Sequence, residues 1–92
     1  QNDLLVPLRY LNTHPGESDA IICAALESIF DLPRGIACGI VDDWGPEFIT
    51  PAIRRSLIKA RQLSNNDVVT ARIDCLLAGK HFDIGKFLNK RK

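Results

Sequence analysis

The side chains able to do chemistry are few, and they are scattered along the chain. His14 and His81 sit in a Pro-Gly turn and a Gly-Lys turn. Each is read as a polar turn residue rather than as a general base. Cys23, Cys38 and Cys75 fall in neither a CxxC nor a zinc spacing. A cysteine nucleophile needs a base in spatial contact, which sequence spacing does not supply. The three thiols cannot all pair within one chain, so they are expected to be buried and free, in a reducing, intracellular compartment. Asp42, Asp43 and Glu47 offer oxygen ligands to a divalent ion, but their spacing is not that of an EF-hand loop. The serine-hydrolase elbow, the zinc-protease helix motif and the glycine loops that cradle nucleotide phosphates do not occur. The chain is therefore read as non-enzymatic, with no catalytic residue, metal site or cofactor.

What remains is charge. The net charge of +1 hides a partition. Residues 1–49 hold two basic and eight acidic side chains, a balance of −6; residues 50–92 hold ten basic and three acidic, a balance of +7. Such asymmetry points to a polyanion, to a complementary protein surface, or to the two halves neutralising each other on folding. The candidate binding residues are Arg54, Arg55, Lys59 and Arg61 on one predicted helix, and Lys86, Lys90 and Arg91 on the last. The candidate acidic docking face is Asp19, Glu27 and Asp31.

These residues must be positioned by short helices. Ninety-two residues at 46% hydrophobic make one domain with a modest core, and exclude a disordered chain. The apolar runs are too short to span a membrane, and no basic region precedes an apolar one in the manner of a signal peptide. With no Met, the chain is expected to be a processed product or a piece of a longer protein.

Pro7 predicts an extended arm over 2–6 and a helix over 7–13, with Leu8 and Leu11 facing the core. Ser18 caps a second helix, whose apolar stripe is Ile21, Ile22, Ala25, Leu26, Ile29 and Phe30. Leu32-Pro33-Arg34-Gly35 is expected to break the chain before a short helix over 36–43, with Gly35, Gly39 and Gly45 weakening it. Trp44 and Phe48 are expected as core anchors. Thr50-Pro51 opens a helix that ends at Leu63. Ser64 and Asp67 resemble a capping box, with Leu63 and Val68 as its staple, so the next helix is expected over 65–78 from a one-residue link. Gly79 is placed to end it, and a last helix spans 82–90. The fold class is all-α: a compact single domain of five or six short helices.

Two functional classes fit this frame. Residues 65–91 have helix-turn-helix proportions, with Lys86, Asn89, Lys90 and Arg91 facing a groove of nucleic acid. The stretch "IRRSLIKARQLSNND", within three short amphipathic helices over 50–90, is similar to the small three-helix X domain that ends paramyxoviral phosphoproteins. That resemblance implies a groove between two helices able to receive a partner helix. The leading expectation is a protein-protein interaction or assembly module with an acidic and a basic face, its partner another protein or, by head-to-tail self-association, a second copy of the chain. Nucleic-acid binding is the alternative, and no membrane association is expected.

Overall fold

Helix starts are set by side chains that accept hydrogen bonds from otherwise unpaired backbone N–H groups. The computed structural model describes residues 4–80 and 82–90, with backbone alone for Ile84 and Lys90. It contains α1 (Leu5–Asn12), α2 (Asp19–Leu26), α3 (Asp31–Trp44), a single 3-10 turn (Pro46–Phe48), α4 (Pro51–Leu63), α5 (Asp67–Leu77) and α6 (Ile84–Lys90). Ser18 Oγ accepts from Ile21 N–H at the start of α2, and Thr50 Oγ1 from Ile53 N–H at the start of α4. Asp83 Oδ1 accepts from Lys86 N–H at the start of α6. No strand occurs among the described residues, so the all-α class holds.

α3 is the centre of the fold. It lies against α1, α2 and α5, while α4 closes the far side against α2 and α5. The buried stripes meet there: Leu8 and Leu11 of α1, Ile22 and Leu26 of α2, Cys38 and Val41 of α3, Ile53 and Leu57 of α4, Ile73 of α5. Trp44 is buried, and its indole Nε1–H donates to Leu11 O at 2.8 Å. That bond ties the C-terminal end of α3 to the C-terminal end of α1. Phe48 packs edge-on to Trp44 with ring centroids 5.9 Å apart. Gly79, at φ +73°, takes the left-handed position that ends α5. The three C-terminal helices do not stand apart as a separate bundle, because α4 packs on α2 as closely as on α5.

Four local expectations are corrected. Leu4 is already in the α region and α1 begins at Leu5, so residues 4–6 form no extended arm; residues 2 and 3 lie outside the described residues. Pro7 is the third helical residue, where an N–H would have no partner anyway. α2 stops at Leu26, and Ile29 and Phe30 are 78% and 44% exposed instead of lengthening its stripe. Ser28 Oγ accepts from Phe30 N–H and turns the chain there. Pro33 does not break a helix: it sits in the first turn of α3, which runs 14 residues and takes in the expected 36–43. Finally, Asn66 caps α5, accepting from Val68 and Val69 N–H at 2.9 and 3.2 Å. Ser64 Oγ instead accepts from Asn66 N–H, so the link between α4 and α5 is the three residues Ser64, Asn65 and Asn66.

Candidate functional site

The charged candidates are largely occupied within the chain. Lys59 Nζ donates to Glu27 Oε1 at 3.2 Å, and Ser56 Oγ donates to Glu27 Oε2 at 2.6 Å. Those two donors, Ser56 foremost, hold the Glu27 carboxyl below the usual carboxylate range. Arg61 makes a two-point contact with Asp74, which raises its own pKa further. Arg54 donates to the carbonyl of Leu77, one of the last in α5. Arg55 stands exposed beside exposed Ile58 on the outer face of α4. Lys86 is exposed on α6; Arg91 and the side chain of Lys90 lie outside the described residues.

The three acidic candidates do not share one helix face. Asp19 opens α2 and accepts from Thr50 Oγ1 at 2.7 Å. Glu27 ends α2, and Asp31 opens α3. Asp31 is held by the guanidinium of Arg34, which is itself only 2% exposed. Arg34 also donates to Ser28 O at 2.5 Å and so fixes the α2–α3 turn.

A second cross-half pair has one partner buried. Arg72 of α5 lies 3.7 Å from Asp42 of α3, too far for a hydrogen bond but close enough for charge attraction. Its guanidinium also lies over the Phe82 ring, 5.3 Å from the centroid. Cys38 is buried close by, and burial pushes its thiol up to about 12. All three cysteines are free. His14 Nδ1 lies 2.7 Å from Tyr10 O with the two rings stacked; His81 lies outside the described residues. No three His, Cys, Asp or Glu side chains gather as metal ligands among the described residues, and none of their helices is long and apolar enough to cross a membrane.

No family model, curated protein or solved structure matches this chain.

The feature that sequence reading missed is a trough over the outer face of α3. Between α1 and α3 lies a cavity of about 350 Å³, walled by Leu5, Leu8, Arg9 and Asn12 on one side and Ile36, Gly39, Ile40 and Asp43 on the other. Between α3 and α5 lies another of about 560 Å³, walled by Asp31, Leu32 and Gly35 on one side and by Asn66, Val69 and Arg72 on the other. The two share Ile36 and Gly39, so they adjoin on either side of the outer face of α3. Leu32 stands at its edge, 60% exposed.

Gly35 and Gly39 make the floor flat. A Cβ at Gly35 would meet Val69 at 3.8 Å, an ordinary contact, so internal packing does not demand glycine there. At Gly39 a Cβ would meet Arg72 Nη1 at 3.4 Å. Glycine inside a helix costs roughly 0.5–1 kcal/mol relative to alanine. The signal in the sequence was this glycine pair, four residues apart and therefore on one helical face.

Proposed function

We propose that this chain is a non-enzymatic protein-interaction module that receives a partner helix in the trough over α3. The observation that carries this reading is the trough itself. It is open and lined by Leu5, Leu8, Leu32, Ile36, Ile40 and Val69, with charged and amide side chains among them, and Gly35 brings backbone to its floor. Amphipathic helices dock in grooves of this kind through apolar side chains at i, i+3, i+4 and i+7. The test is a titration of ¹⁵N-labelled protein with amphipathic helical peptides, followed by amide shifts. Changes should cluster at 5–12, 32–43 and 66–72. Shifts confined to α4 or α6 would move the docking surface elsewhere, and no shifts at all would sink the reading.

The charged faces supply a second reading, favoured by one fact: α4 holds four cations and no anion. Arg54, Arg55, Lys59 and Arg61, with Lys86 on α6, are the residues that would meet a polyanion or an acidic protein face. The ion pairs of Lys59 and Arg61 with Glu27 and Asp74 reduce what they have to offer. Asp19, Glu27 and Asp31 are likewise engaged at home, which weighs against head-to-tail assembly through them. Fluorescence anisotropy with a labelled duplex and a labelled single strand, across a salt series, separates the cases. Micromolar binding that weakens steeply with salt and disappears in Arg55→Glu/Lys59→Glu would favour nucleic acid. No binding at low salt leaves α4 as a solvated face.

A further inference from the structure

The C-terminal segment is fastened to the fold by an aromatic ring, and a charge covers that ring. The chain leaves α5 at Gly79, where φ is +73° and an added Cβ would meet nothing within 4 Å, so it can swing there without striking a neighbour. Phe82, 6% exposed, then lies beneath the guanidinium of Arg72, 5.3 Å from ring centroid to Cζ. α6 follows with seven residues, too few to hold a helix without packing, and it packs on α5. Its Phe87 lies 5.8 Å from Phe82 between ring centroids. Phe87 and Ala71 of α5 stand between two hollows. One, of about 450 Å³, has Cys75, Lys80 and Lys86 in its wall, and the other, of about 380 Å³, has Thr70 and Asp74. With space on both sides of that contact, α6 is thinly seated, and Phe82 is its anchor.

Arg72 is where this anchor meets the rest of the molecule. Its Nε–H is buried and makes no hydrogen bond, and the Asp42 carboxylate at 3.7 Å attracts it without accepting one. A buried donor left unpaired costs free energy that water would return. Seating Phe82 gains apolar burial and the cation–π contact while keeping water from that donor. Lifting Phe82 loses both gains and hydrates the guanidinium. The opposing effects meet at one residue, so the two positions of the ring are closer in free energy than its burial alone implies. We infer that the segment after Gly79 is a hinged strap, with Gly79 as pivot, Phe82 as latch and α6 as its free end, and that it opens while α1 to α5 stay folded. Arg72 also walls the hollow between α3 and α5, so the latch steadies one side chain of that wall.

Trypsin added to the full, folded chain reads this opening, because the backbone after Lys86 must unwind from α6 to enter the protease. Cleavage there would be followed by mass spectrometry across a series of low urea concentrations. In wild type its rate should barely change with urea, since a local opening exposes little surface. Phe82→Ala should speed the cut about tenfold while circular dichroism shows the other helices in place. Phe82→Leu keeps the bulk and loses the ring face; it should fall between the two, and it carries the test if Phe82→Ala does not fold. Asp42→Asn supplies a readout that simple fraying of α6 would not move. Its loss of melting temperature should shrink by about half in a Phe82 variant, where water already reaches Arg72. Cleavage that rises with urea in step with global unfolding would overturn the strap. Cleavage at the wild-type rate in both Phe82 variants, or strictly additive losses of melting temperature, would overturn the latch.

Discussion

Glu27 shows how a single side chain read as a docking group is spent on the fold. Its two oxygens take one hydrogen bond from the buried hydroxyl of Ser56 and one from the ammonium of Lys59. A carboxyl whose pKa is lowered on folding contributes stability that is present above its unfolded pKa and is lost as pH falls through the folded value. Wild-type protein should therefore lose melting temperature as the pH drops below about 4.5, the ordinary value for this group. Glu27→Gln should flatten that portion of the curve, because its amide does not titrate. Thermal melts between neutral pH and acid decide it: parallel curves for the two proteins would show that Glu27 is not the titrating group. At this scale the sequence was legible in kind but not in partner. Glu27, Asp19 and Asp31 look alike in a helical projection, and only the approach of Ser56, Thr50 and Arg34 shows that each is engaged.

Elements were legible wherever the signal was local. Thr50-Pro51 opens α4 as read, because the cap and the proline act within one turn. Pro33 was misread because a proline breaks a helix interior and suits a helix start, and only the start position distinguishes the two. That start is fixed by Arg34 reaching back to Ser28 and Asp31, a contact that spacing does not announce. At the α4–α5 link Ser64 was read as the cap, whereas Asn66 caps α5. Asn66→Ala should therefore destabilise the protein by about 1 kcal/mol, and Ser64→Ala by less. Urea denaturation of both variants is the check; equal losses would mean that Ser64 shares the capping role. The trough was illegible because it belongs to no single element. It forms only when α1 and α5 flank α3, and in isolation Gly35 and Gly39 register as helix weakeners.

For the whole molecule, part of the charge partition is used inside the fold. Glu27 with Lys59, and Asp42 with Arg72, each join the acidic half to the basic half. The radius of gyration, 12.3 Å, is that of a compact chain of this length, about 12 Å, so the halves are closed against each other. The two pairs are not of equal weight. Lys59 and Glu27 are 63% and 39% exposed, where a pair contributes little, whereas Asp42 is 6% exposed. Asp42→Asn should therefore cost about 2 kcal/mol by stranding the Arg72 cation, less than for a fully buried pair because Arg72 is 28% exposed. Chemical denaturation in low and high salt would check this. A loss no larger than that of Lys59→Gln would show that the buried pair is not a keystone of the fold.

The indole of Trp44 has a practical consequence. It is the chain's only tryptophan, shielded from water and hydrogen-bonded to a carbonyl 33 residues away in α1. Its emission is thus a built-in optical gauge of whether α1 is seated on α3. Because α1 and α3 also form one wall and the floor of the trough, a red shift on adding a ligand would report the wall coming away. An unshifted spectrum would report a ligand received by a rigid, preformed cleft.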